Sequence, residues 1–181
     1  ENDSTGQRMS LTTGGTLTVA ADSASTPSYT VVAAGSTATL GVIKFNAANE
    51  AVNLTKLGLK ITNTASSSVS DLTQVTLWDG STQVGSLTLT GNTGTSTLTA
   101  NFIIPKDSDK LMTVKGDLAA IGTSQTGTQG ALIAIDYIGA GNAEGTGQSS
   151  GSTITSSSAV TAFAGVRMFK SYPTFSKLSS G

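Results

Sequence analysis

Leu72-Thr73-Gln74-Val75-Thr76-Leu77-Trp78-Asp79-Gly80-Ser81-Thr82-Gln83-Val84-Gly85-Ser86-Leu87-Thr88-Leu89-Thr90 is the stretch that decides the fold class. Val75 and Leu77 share one phase of a period-two run, and Leu87 and Leu89 share one beyond Asp79-Gly80-Ser81-Thr82. A period of two places alternate side chains on opposite faces of a strand. Asp and Gly tolerate the positive φ of a tight turn. The stretch therefore predicts a β-hairpin, with 72–78 returning as 84–90.

The same pattern continues outward in both directions. Thr16-Leu17-Thr18-Val19-Ala20 alternates, Ser28 to Ala33 is β-branched, and Thr37 to Ala47 carries Leu40, Val42, Ile43 and Phe45. Ala51 to Thr62 reads Val52, Leu54, then Leu57, Leu59, Ile61. That slip of phase predicts a bulge near Thr55-Lys56. Thr95 to Ile104 ends at Pro105, Lys106-Asp107-Ser108-Asp109 is a polar turn, and Lys110 to Gly116 runs back. Leu111 and Thr113 lie on one face of that strand, Met112 and Val114 on the other. Ala131 to Ile138 is the most apolar strand. Gly139 to Ser158 reads as a Gly/Ser/Thr loop with a short strand at Ser152 to Thr155. Val160 to Lys170 and Pro173 to Leu178 are extended, and Asp117 to Ile121 is a single helical turn. About nine or ten short strands with frequent turn signals predict an all-β sandwich or barrel with negligible helix. The absence of a short fixed repeat argues against a propeller or β-helix.

Composition narrows the function classes. Of 181 residues, 30 are Thr and 25 are Ser, and Cys and His are absent. Without these two there is no imidazole metal site, no Ser-His-Asp triad, no thiolate nucleophile and no disulfide. Ten Lys and Arg face eleven Asp and Glu, scattered along the chain. Nucleic-acid binding needs a concentrated basic surface, so no nucleic-acid partner is expected. The longest apolar run, Ala131 to Ile135, is far too short to span a bilayer. A net charge of −1 with 37% hydrophobic residues is not a disorder signature. No cationic-then-apolar leader opens the sequence. The expectation is a secreted chain whose signal peptide has already been removed.

Four segments carry a resemblance. They are Gly41-Val42-Ile43-Lys44-Phe45-Asn46-Ala47, Leu72 to Gly80, Lys110-Leu111-Met112-Thr113-Val114-Lys115-Gly116-Asp117-Leu118, and Gly165-Val166-Arg167-Met168-Phe169-Lys170-Ser171-Tyr172-Pro173-Thr174-Phe175. Together they resemble modules of large secreted surface proteins of candidate-phyla-type bacteria, S-layer-like or adhesin-like arrays of Ig-like β domains. The resemblance spans most of the chain, from Leu40 through Phe175. It implies an Ig-like antiparallel β-sandwich, a place at the cell surface and a structural role without enzymatic activity. Its motifs are packing motifs, so it implies no catalytic residue, no cofactor and no ligand.

Several constellations invite a functional reading. Thr16-Leu17-Thr18, Thr88-Leu89-Thr90 and Thr93-Gly94-Thr95-Ser96-Thr97-Leu98-Thr99 align hydroxyls on strand faces. Such a face could bind glycan, or could simply be a solvated face of high β-propensity. A twisted antiparallel sheet is too curved for ice. Trp78, before the hairpin turn, is the candidate glycan contact, with coverage of a sheet edge as the alternative. Asp107 and Asp109 are the calcium candidates, yet Lys106 and Lys110 flank them and no Asp-x-Asp-x-Asp-Gly loop exists. Lys44, inside an apolar strand, and Glu50 raise an isopeptide bond, with a solvent-facing or snorkelling lysine as the alternative.

The ends carry the main expectation. One domain covers 1–181, with 1–30 and 164–181 as extended end segments that pair with neighbouring subunits or modules. Val166, Met168, Phe169, Tyr172, Phe175 and Leu178 form the candidate assembly interface, acting by strand addition to an exposed edge. The expected partners are copies of the chain or adjacent modules of one array. A carbohydrate-binding adhesin module is the rival.

Overall fold

The computed structural model describes residues 14–61 and 68–171. Among the described residues thirteen strands make an all-β protein, and the described helix is a single 3-10 turn at Val69–Asp71. The first sheet has the order β1 (Thr16–Ala21), β3 (Thr37–Ala48), β8 (Ser108–Leu118), β5 (Leu72–Asp79), β6 (Thr82–Leu87). The second is built on β4 (Val52–Ile61). Along one edge of β4 lies β7 (Thr93–Ile104); along the other, end to end, lie β10 (Ile135–Tyr137) and β11 (Ala143–Gly147). Outside β11 comes β12 (Thr153–Thr155). A third, small sheet joins β2 (Ser28–Ala33), β13 (Gly165–Phe169) and β9 (Leu132–Ile133), with β2 and β13 parallel.

The expected hairpin forms β5 and β6. Gly80 and Ser81 make its turn, with Gly80 at φ 59° as a tight hairpin requires. Val75, Leu77, Val84 and Leu87 are buried beneath it. Leu17 and Val19 alternate inward on β1 while Thr16 and Thr18 face water.

Two bulges let long strands change the face they bury. On β4 both neighbouring ladders skip Thr55, so Val52 and Leu54 before it and Leu57, Leu59 and Ile61 after it all reach the core. On β3 the pairing with β8 shifts between Thr39 and Gly41. Ala38 and Leu40 are buried on one side of that shift, Ile43, Phe45 and Ala47 on the other. The first two sheets share one apolar core, in which the fully buried rings of Phe45 (β3) and Phe102 (β7) meet edge-on at 5.6 Å. The core closes at both sides. β6 abuts β7, where a Cβ on Gly85 would fall 2.6 Å from Ser96 Oγ. At the opposite side Ser158 Oγ accepts from Val19 N at 2.8 Å.

Several expectations are corrected. The all-β class stands, with thirteen described strands where nine or ten were expected. The chain does turn at Lys106–Asp107, but β7 and β8 are not a hairpin: they belong to opposite sheets. Asp117 and Leu118 end β8 rather than start a helix. The apolar run 131–138 splits at Ala134, feeding β9 and β10 to different sheets. Ala143–Gly147, read as loop, is β11, held as a strand by pairing with β4. On β8 the core takes Met112 and Val114 and leaves Leu111 43% exposed.

Candidate functional site

The end-segment residues divide into two groups. Tyr172, Phe175 and Leu178, and the strand expected over Pro173 to Leu178, lie outside the described residues. Val166 and Met168 are fully buried in the protein's own core. They are core side chains of this chain rather than contact residues for a neighbour, because β13 is flanked on both sides, by β2 and by β9. Arg167 Nη1 donates to Gly130 O at 2.9 Å, and Lys170 N donates to Gln129 Oε1 at 3.0 Å. Phe169 is half-buried beside Gly130.

β2 is one of the two outer strands of the small sheet. Among the described residues no strand pairs with its second edge. Tyr29 is 60% exposed and Val31 41%. Tyr29 has φ 53°, at the point where the β2–β13 register shifts, and a bulky residue is rare there. Thr30 and Val32 point to the other face and line a groove of about 510 Å³, with Ala38 and Val166 across from them. No charged residue lines this groove. A smaller groove of about 210 Å³ lies on the other side of Pro27, against Phe163.

The acidic candidates are engaged with neighbours. Asp109 accepts from Asn46 Nδ2 at 2.8 Å and pairs with Lys44 at 3.5 Å. The Asn46 bond foremost, opposed by desolvation and aided by the Lys44 charge, holds its carboxyl below the usual aspartate value. Asp107, at φ 53°, accepts from Asn49 N and lies 4.0 Å from Lys106. Among the described residues no three acidic side chains cluster as a cation site. Lys44 faces outward with 40% of its side chain exposed, 3.5 Å from Asp109, so the buried setting an isopeptide bond needs is missing.

Trp78 is half-buried on the outer face of β5. Its Nε1 donates to Thr76 Oγ1 at 2.9 Å, and Lys115 Nζ lies 4.2 Å from the ring centroid. One face of the indole is thus taken by a cation, leaving less of it for a sugar ring.

Glu50 is the residue that sequence reasoning misplaced. It sits after β3, and its carboxylate accepts from Gly15 N, Ser149 N, Ser150 N and Ser150 Oγ at 2.8–3.1 Å. These bonds, led by those from Ser150, pull its pKa from 4.5 down to about 2. It staples the start of β1 to the loop between β11 and β12. A Cβ on Gly147 would come 2.5 Å from Glu50 Oε2, so glycine is what lets the strand pass the carboxylate. Three of the four donor groups are backbone N–H groups, which leave no mark in side-chain chemistry.

The sequence matches no protein-family model and none of the curated proteins compared with it. No described helix is long and apolar enough to cross a membrane.

Proposed function

We propose that this chain is a non-enzymatic extracellular structural subunit or module that builds a surface layer or filament. The contacts are β-strand pairing and end-segment docking. One observation carries the reading: β2 and β13, near the two ends, join in one small sheet whose β2 edge is unpartnered among the described residues and exposes Tyr29 and Val31. An unprotected apolar edge is the usual route by which one chain adds strands to another. On β1 the outward phase carries hydroxyls, with Thr16 and Thr18 facing water.

The test is assembly without ligand. Purified chain, concentrated at neutral pH, is expected to form ordered polymers on electron micrographs, and deletion of 172–181 to abolish them while circular dichroism stays β. Polymers unchanged by the deletion discard the end segment. Specific glycan-array binding lost on Trp78→Ala, without assembly, replaces the reading by an adhesin module.

A further inference from the structure

We infer that β2 is a self-pairing edge: two copies of this chain join antiparallel about Val31, which faces its own copy beyond the Tyr29 bulge, making one six-stranded sheet from two small ones. The inference rests on the assembly reading and names its first contact. Three features select a second copy as occupant. First, the edge is unpartnered among the described residues, and its outward side chains Tyr29 and Val31 are exposed apolar groups. Second, no charged residue occurs between Asp22 and Lys44, so β2 lacks the lysines that natural edge strands use to block pairing. When a strand meets its own copy, each charge meets a like charge nearby, and that costs stability. Ser-Tyr-Thr-Val-Val-Ala carries none, so self-juxtaposition is free of this penalty. Third, the opposite face of β2 already borders an uncharged groove, where Thr30 and Val32 face Ala38. A second β2 would bring its own Thr30 and Val32 to the same side.

The geometry also fixes the kind of assembly. Antiparallel pairing of identical strands is isologous, so it closes as a two-fold dimer and uses up the edge. Any longer polymer must then grow from dimers through a different contact, such as the end segment 172–181.

The chain has no cysteine, which allows a direct test. Val31→Cys under mild oxidation is expected to give a disulfide-linked dimer, since facing side chains across such a pair are within reach of one. Ile103→Cys, equally exposed on β7, is expected to stay monomeric. In analytical ultracentrifugation the natural chain should show a concentration-dependent dimer. Val31→Lys should raise the dissociation constant at least tenfold with an unchanged melting curve. A wholly monomeric chain, equal cross-linking of the two cysteine variants, or a dimer untouched by Val31→Lys overturns the inference. The two proposals fail separately. Dimers that never extend into ordered polymers sink the assembly reading and keep the β2 contact. Ordered polymers from Val31→Lys, without Val31→Cys cross-linking, do the reverse.

Discussion

Tyr137→Phe should make this protein more stable. Tyr137 lies on β10 with no exposed surface, and among the described residues its hydroxyl has no hydrogen-bond partner. Its backbone is fully engaged: Tyr137 N donates to Thr161 O at 3.0 Å, and Tyr137 O accepts from Thr161 N at 3.3 Å. The substitution therefore changes one oxygen and nothing else. Leaving a polar group buried without a partner costs about 1–3 kcal/mol. The void left by one oxygen costs about 0.2 kcal/mol at roughly 24 cal/mol per Å³. The net expectation is a gain of about 1–3 kcal/mol, which at roughly 2–4 °C per kcal/mol for a chain of this size raises Tm by about 2–11 °C. Urea unfolding at constant m-value, paired with calorimetry, measures both quantities. Most buried tyrosines donate a hydrogen bond and lose stability when it is removed. A fall of about 0.5 kcal/mol or more would therefore refute the reasoning, by showing that the hydroxyl is bonded.

Two further perturbations test the core and the staple. Phe102→Ala should cost about 3–5 kcal/mol. In a double-mutant cycle with Phe45→Ala it should show about 0.5–1.5 kcal/mol of coupling from the edge-on ring pair; zero coupling would mean that the rings do not bridge the sheets. Glu50 supplies a pH signature. Its pKa falls from 4.5 unfolded to about 2 folded, so its contribution is complete above pH 4.5 and drains away as pH falls from 4.5 through about 2. Glu50→Gln should lower Tm at neutral pH and narrow its gap to the natural chain across that window. A gap independent of pH would show that the carboxylate charge is not what the Ser149 and Ser150 amides hold.

Much of the fold was legible because period two is a local signal. The hairpin at 72–90, the inward phase of Leu17 and Val19, and the bulge at Thr55 all follow from neighbouring side chains. β11 was not legible: Ala-Glu-Gly-Thr-Gly has no apolar alternation, and it becomes a strand only because β4 offers it a ladder. The break at Ala134 was equally hidden, since five consecutive apolar residues look the same whether they serve one sheet or two. Of the residues first considered for function, Val166 and Met168 carried the right hydrophobicity but the wrong inference. Their apolarity marks burial in their own core. The exposed edge belongs to β2, which the sequence showed only as a β-branched run.

By itself, then, the sequence determined the class: alternating Thr and Ser with Leu, Val and Ile makes strands with one apolar and one hydroxyl face, and the lack of His and Cys removes whole families of chemistry. Tertiary structure alone decided which strands are neighbours and which edges stay free. Pairing partners are set by backbone hydrogen bonds between segments far apart in the chain, and every backbone carries the same donors and acceptors. Side-chain pattern says that a strand exists. Only the arrangement of the described strands says that β13 is enclosed, that Glu50 is gripped by amides a hundred residues away, and that β2 has one side unpaired among them.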